Sequence, residues 1–289
     1  MPAHAVIELR DVDITVGGTT LVRRLSIDVA PGRVFAFVSE RVDVRSAIVH
    51  VLSGNTKDTI VGGDLVLEGR ELISRVGNAT QAELHVAVVS GPLDAKTRVR
   101  DLASTSVLDA VGLASSDVRV HALSEQDRVR AAFAAALATA PKVVVVSVPY
   151  SAQASSPYAA YSDVLHRVAR DTSIAFVVVT DSLAVAADVA DEVMVTLDGR
   201  VVETGSVYDV CLRPAMPYVR DLVRLTPSPH RALPDFAGFV DLASHQGCPW
   251  VLNCREELLH ACAQEQPKLR AVALGHAAAC HLLGVTDGA

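Results

Sequence analysis

Two stretches of this sequence hold residue types at spacings that suit chemistry. The first is FAFVSERVDVRSAIVHVLSG, residues 35–54. An apolar run passes through a short polar turn into a helical pattern with Val44, Ile48, Val51 and Leu52 on one face. A phosphate-binding loop has this frame. In such a loop, glycines let backbone N–H groups close around phosphate oxygens, and a lysine reaches the terminal phosphates. Here the turn holds no glycine, Arg45 stands in for the lysine, and Ser46 is a hydroxyl that can bind a metal. The residue types favour the plainer reading, an ordinary strand–turn–helix held by core packing. The second stretch is the C-terminal region, where Cys248, Cys254, Cys262 and Cys280 are spaced C-x5-C-x7-C-x17-C. Four thiolates can hold tetrahedral Zn²⁺ or a [4Fe–4S] cluster. The close C-x2-C hairpins usual in structural zinc sites are absent. Four reduced core cysteines are the plainer alternative, because cysteine is often buried. The fifth, Cys211, lies outside the pattern and reads as a buried or free thiol. His245, His260 and His276 are further candidate ligands, although lone histidines more often sit on surfaces.

The elements that must position these residues follow from periodicity. AVIELRDVDITVGG alternates like an antiparallel strand, and LSIDVAPGRVFAFVS continues as two strands around a Pro-Gly turn. GDLVLEG and ELHVAVVS are short strands, the latter ending at Ser90. A helical pattern over residues 101–113 buries Leu102, Val107, Leu108 and Val111. An Ala-rich helix runs from about Glu125 to Thr139. KVVVVSVP, IAFVVVTDS and EVMVTLDGRVVETG are strands, with a helix near Tyr158 to Arg170 between the first two. This alternation predicts an α/β fold. A Pro-rich connector, PSPHRALPDFAGF, precedes the cysteine-rich tail. Two units follow: residues 1–212 as the main domain and 213–289 as an extension.

Composition narrows the class. The 289 residues are 50% hydrophobic but only 4% aromatic, and the apolar set is mostly Val, Ala and Leu. That mix suits a parallel sheet buried on both faces. A net charge of −7 argues against a broad nucleic-acid surface. No apolar stretch is long enough to span a bilayer, and MPAHAVIELR lacks the basic segment and apolar run of a signal peptide. The expectation is a cytosolic chain that meets a membrane only through a partner.

Over roughly residues 5 to 210, the order of these elements resembles the ATP-binding subunit of ABC transporters. The anchor is LSEQDRVRAAFAAALATAPKVVVVSVP. Leu123, Ser124, Arg128, Arg130, Ala136, Leu137, Ala138, Pro141, Lys142 and Pro149 match without a gap the family's LSGGQ helix, its Pro-Lys and the strand ending Asp-Glu-Pro. DEVMVTLDGRVVETG matches a later strand pair of the family. The resemblance implies an ABC ATPase core: a sheet flanked by helices, an antiparallel β part and a helical subdomain. The last is shortened here, since only residues 91–122 lie between the fifth predicted strand and LSEQD.

Placed on the family's motifs, the residues that do nucleotide chemistry are replaced. Its phosphate loop G-x-x-G-x-G-K-[ST]-T falls on Ser39, Glu40, Arg41, Val42, Asp43, Val44, Arg45, Ser46 and Ala47. Val42 and Val44 resist the positive φ angles such loops use. A carboxylate such as Glu40 or Asp43 at 4 Å from a phosphate charge costs about 4 kcal/mol at an effective dielectric of 20. Arg45 keeps the lysine's charge but is a bulky planar fork. The Mg²⁺-binding Asp and the general base Glu fall on Ser147 and Val148, the Mg²⁺-sensing Gln on Ser90, and the switch His on Asp181. The adenine-stacking aromatic falls on Val16, and the Asp after the catalytic Glu on Ala154. Loss of a positioned base costs about 10²–10⁴-fold in rate. The resemblance thus implies a site that does not hydrolyse ATP and binds ATP and Mg²⁺ poorly. In the family two subunits face head to tail, so Ser124, Glu125 and Gln126 would meet a partner's site. Ser124 reads equally as a helix cap.

RPAMPYVRDLVRL and the tail resemble the oligopeptide/dipeptide/nickel importer branch, whose C-terminal pattern also carries Cys-Pro, two further cysteines and Ala-Cys-His. Pro249, Pro267 and His281 match with the four cysteines, whereas Asn253 replaces an Arg and the second gap is one residue longer. With this resemblance the cysteines are expected to hold a [4Fe–4S] cluster, zinc being the alternative. The implied protein is a catalytically degenerate subunit of a heteromeric peptide importer on the cytoplasmic side of the membrane. Its partners would be an active ATPase subunit, two permease subunits and, indirectly, a peptide-binding protein. Two other readings stand beside it: a weakly active ATPase using Arg45 and Ser46, and a freestanding iron–sulfur redox sensor on the same fold.

Overall fold

The computed structural model describes residues 5–54, 59–67, 69–71, 85–89, 93–148, 155–225, 247–256 and 260–283. The first part is antiparallel: β1 (Ile7–Val16), β2 (Thr19–Val29), and then, beyond β3 (Val34–Ser39) and α1 (Val42–Leu52), β4 (Thr59–Leu67) and β5 (Arg70–Glu71). After β6 (Val86–Val89) come the short α2 (Thr105–Ala110), the long α3 (Glu125–Leu137), β7 (Val143–Val148), α4 (Ser155–Asp171), β8 (Ala175–Thr180) and α5 (Leu183–Val189). The chain closes the sheet with β9 (Glu192–Leu197) and β10 (Arg200–Ser206). It continues through α6 (Val207–Leu212), α7 (Pro217–Leu225) and α8 (His260–Gln264) to the hairpin of β11 (Arg270–Ala273) and β12 (His276–Ala278). The sheet order is β5-β4-β1-β2-β10-β9-β3-β8-β7-β6, with β12 pairing β10 and β11 outermost.

The parallel half, β6-β7-β8-β3-β9, is built from near-continuous apolar runs, as strands covered on both faces require. Alternation then sorts the side chains. Phe35 and Phe37 of β3 join Val145, Val177 and the buried face of α1, including Val44, Ile48, Val51 and Leu52, on one side of the sheet. Ala36 and Val38 join Phe176, Val178 and the buried faces of α3, α4 and α5 on the other. The expected α/β class, the antiparallel part and the apolar face of α1 are thus realised.

Two expectations are corrected. The pattern over residues 101–113 forms a 3₁₀ turn at Val99–Asp101 and then the six-residue α2, because Gly112 takes φ +72° and ends the helix early. Leu108 and Val111 are buried as expected, while Leu102 and Val107 are only partly so. Sequence periodicity also missed α5, which is too short for its period to show. Between β6 and α3, the described residues hold one short α-helix, in line with a shortened helical subdomain.

The β9–β10 hairpin joins the two halves. Asp198 and Gly199 both take positive φ, +50° and +70°, the two-residue turn that strand twist favours. Gly199 is obligatory, since a Cβ there would lie 1.7 Å from the Leu21 carbonyl oxygen. Its own carbonyl accepts the Arg23 amide at 3.0 Å, which starts the β2–β10 contact.

The described part of the tail shares the main core. Met216, Tyr218, Val219, Cys248, Trp250, Cys262 and Ala278 belong to the same apolar cluster as β7 and β8. The polar fastening is Glu203 on β10, which is fully buried. Its carboxylate accepts the amides of Ala215 (2.8 Å) and Met216 (2.9 Å) and pairs with His276 Nε2 (2.8 Å) on β12. One side chain thus fixes a strand, the α6–α7 turn and the tail hairpin. Removing one member of such a group leaves the others buried and unpaired. Glu203→Ala is therefore expected to lower stability by about 3–5 kcal/mol, read by chemical denaturation. Limited proteolysis should show first cuts in the tail rather than in residues 143–197.

Candidate nucleotide-binding loop and cysteine-lined cavity

The stretch FAFVSERVDVRSAIVHVLSG folds as β3, a two-residue connection and α1. The helix begins at Val42, so most of the loop's length has become helix. The amides a phosphate would need are already used: Arg41 N donates to Ser39 Oγ (3.4 Å), Val44 N to Asp43 Oδ1 (2.8 Å) and Arg45 N to the Arg41 carbonyl (3.1 Å). Ser39 is fully buried at the strand end, and Ser46 is exposed on the helix.

Arg45 lies across the mouth of this turn. Its Nη1 donates to the carbonyl oxygens of Ser39 (2.7 Å) and Glu40 (3.1 Å), and its Nη2 is 3.3 Å from Asp181 Oδ2. The guanidinium therefore closes over the strand-end carbonyls, with its charge met by Asp181. Arg41 is consumed in the same way, by Asp43 at 2.6 and 3.0 Å and by Asp198. That pairing, led by the Arg41 hydrogen bond, holds the Asp43 carboxyl below its usual range. Glu40 accepts the Asp198 amide at 2.7 Å, while burial pushes its carboxyl up. Two arginines thus face Glu40, Asp43, Asp181 and Asp198, and an incoming triphosphate would meet more negative charge than positive. The loop residues do not fit ATP with Mg²⁺.

Ser147 and Val148 end β7 opposite Val179 and Thr180, with Ser147 partly buried and Val148 buried, so neither side chain at this strand end carries a carboxylate. Val16 closes β1 without an aromatic face. Ser90 and Ala154 lie outside the described residues. Ser124 caps α3: its Oγ accepts the Asp127 amide (3.1 Å) and donates to Asp127 Oδ2 (2.8 Å). Ser124 and Glu125 are exposed and Gln126 half-buried. Asp127 continues into a chain of pairs through Arg130, Asp163 and Arg167 at 2.9–3.3 Å that ties α3 to α4.

In the tail, Cys248, Cys254, Cys262 and Cys280 all line one small cavity, beside Trp250 and His281. The Cys248 amide donates to the Cys262 carbonyl at 2.8 Å, and this approach requires Gly247, whose Cβ would lie 2.5 Å from the same oxygen. Tyr218 of α7 packs against Trp250, ring centroids 4.8 Å apart, and joins the cavity wall to the core. Burial, with the neighbouring thiols, pushes Cys248 up to about 11 and raises Cys254 and Cys280. Among the described residues no group of three or more His, Cys, Asp or Glu side chains converges closely enough to hold a metal ion. Of the candidate histidines, His276 is committed to Glu203 and His260 bonds Gln264, while His245 lies outside the described residues. Cys211, off the cavity, is half-buried and pushed up to about 11 by burial and Glu203.

Sequence reasoning did not find Asp198 or Glu203. The Asp-Gly pair of the hairpin turn was the one available signal for Asp198. Nothing local marked Glu203, which looks like any strand glutamate until its partners assemble.

No protein-family model matches the chain. It is 30% identical over 304 residues to the oligopeptide transport ATP-binding protein OppD of Mycobacterium tuberculosis, covering 90% of this chain and 48% of that protein. The chain thus spans about half the length of this relative. It is 26% identical over 320 residues to the probable peptide ABC transporter ATP-binding protein y4tR of Sinorhizobium fredii, covering 96% of this chain and 95% of that one. Among solved structures, cbiO1 of Clostridium perfringens, part of the ABC transporter complex cbiONQ, aligns with a TM-score of 0.60 at 17% identity over 73% of this chain and 92% of that chain. The fold is that of an ATP-binding cassette. With its order of motifs and these relatives, the chain belongs to the ATP-binding proteins of ABC transporters, on the branch that includes the oligopeptide and dipeptide transport proteins.

Proposed function

We propose that this chain is a nucleotide-inactive cassette of a peptide-type ABC importer, working from the cytoplasmic side of the membrane. It would pair with an active ATPase subunit and bear on two permease subunits, which receive substrate from a peptide-binding protein. The observation that supports this reading is Arg45, bonded to the carbonyls at the strand end and to Asp181. Its charge is satisfied inside the protein, so no nucleotide is needed to complete the turn. Among the described residues no helix is long and apolar enough to cross a membrane, which suits a peripheral subunit.

The purified chain should release no phosphate from ATP above background, in a colorimetric assay with Mg²⁺. Turnover that Arg45→Ala or Ser46→Ala abolishes would overturn this reading in favour of a weakly active ATPase.

In the proposed pair, the exposed N-terminus of α3 serves the partner's nucleotide. The cap and the partner role can be separated, because asparagine caps as well as serine. Ser124→Ala should cost about 1 kcal/mol of stability and lower the ATPase of the assembled transporter. Ser124→Asn should keep the stability and still lower that activity. Full activity in Ser124→Asn would reduce Ser124 to a cap.

We assign the cysteine cavity to a [4Fe–4S] cluster, with zinc as the alternative, supported by the four sulfurs sharing one wall and by the branch the chain belongs to. Loading would displace the thiol protons and would bind the tail residues to one another. Protein purified without oxygen should be brown, with about four irons and four sulfides per chain. Cys254→Ser or Cys262→Ser should bleach it and expose the tail to protease, while Cys211→Ser should do neither. Stoichiometric zinc without iron would replace the cluster by a structural zinc site. Co-purification with permease subunits distinguishes the importer from a freestanding redox sensor.

A further inference from the structure

Where β10 meets β2, the register sets Arg200 against Arg23. Like charges opposed on neighbouring strands repel. The local carboxylates offset this repulsion only in part. Asp198 is bound to Arg41, Asp13 accepts the Arg24 amide, and neither comes within ion-pair distance of Arg23 or Arg200 among the described residues. Burial first, and Arg23 next, hold the Arg200 guanidinium below its ordinary range. Both arginines open into a cleft of about 450 Å³, which also takes Asp11, Arg24 and Ser26 from the β1–β2 hairpin and Lys268 from the tail. Asp11 meets Arg24 at 3.6 Å, and among the described residues no ion pair involves Arg23, Arg200 or Lys268, in a chain of net charge −7. Ser26 Oγ accepts the Asp11 amide at 3.0 Å, so its own proton is free to be donated.

We propose that this cleft is an anion-binding site for a ligand carrying a phosphoryl group, held between Arg23 and Arg200 and closed by Lys268. Paired guanidinium forks match the oxygens of a phosphate dianion. The cleft exceeds a free phosphate and falls in the range of small-molecule sites, so the group is an ester, either a soluble metabolite or a lipid headgroup. It shares no lining residue with the Arg45 turn and goes beyond the importer reading. Because Lys268 comes from the tail and Arg200 from the sheet, the ligand would fasten one to the other.

The test uses the full chain at low ionic strength, where charge is least screened. Inorganic phosphate and glycerol 3-phosphate are titrated calorimetrically and by thermal unfolding, and co-sedimentation is measured with phosphatidylglycerol and phosphatidylcholine vesicles. Binding of the soluble anions without sedimentation identifies a soluble ester. Sedimentation with phosphatidylglycerol alone identifies a headgroup. In either case Arg23→Gln with Arg200→Gln should weaken binding at least tenfold and raise the anion-free Tm, because the repulsion is gone. Lys268→Gln, exposed and outside the core, should weaken binding severalfold, and it serves if the double variant fails to fold. No binding in either arm, or binding that these substitutions leave unchanged, would overturn the proposal.

Discussion

The sheet passes from its parallel half to its antiparallel half at the contact of β10 with β2, and that contact exists because residue 199 has no side chain. With the Leu21 carbonyl 1.7 Å from where a Cβ would stand, any other residue would push the two halves apart. The hairpin placed this way carries each chemically notable region in turn. Asp198 holds Arg41 and, through its amide, the Glu40 side chain of the β3–α1 turn, Arg200 faces the basic cleft, and Glu203 fastens the tail. A backbone constraint thus sets the relative positions of three sites that the sequence scatters.

At the loop, the family's solution and this one answer the same electrostatic problem. A strand end pointing its carbonyls at a helix N-terminus leaves a polar hollow that needs a charged occupant. In a working cassette the hollow is made of amides and takes an anion. Here the helix starts earlier, the amides are used within the chain, and the hollow presents carbonyl oxygens, which take a cation from within the chain. Asp181, at a position where a histidine would face phosphate, faces a guanidinium instead. The substitutions at residues 40, 43, 45 and 181 make sense as one set of partners rather than as separate losses.

The parts of this legible in sequence were those governed by neighbours in the chain. Apolar runs marked β3, β7 and β8, and the face of α1 followed from its period. The four cysteines were legible as a group because they are few and crowded. The pairing of Arg45 with Asp181, of Glu203 with His276, and of Arg23 with Arg200 was not legible, since each joins residues far apart in sequence whose types fit many surroundings. The tail's place in the main core was hidden for a related reason. Its own apolar content is small, and its burial comes from surfaces that α7 and β10 supply.

The fastening at Glu203 also has a consequence for how the protein is made. A ribosome delivers β10 well before β12, and His276 lies 73 residues downstream of the carboxylate it will meet. During that interval β10 has an open edge and Glu203 has water instead of imidazole. Natural chains guard such edges, because an open strand invites pairing with another chain. A buried-to-be carboxylate is a guard of this kind: ionised, it keeps the edge wet until the correct histidine arrives. The residue that locks the finished tail thus doubles, during synthesis, as protection against premature strand partners.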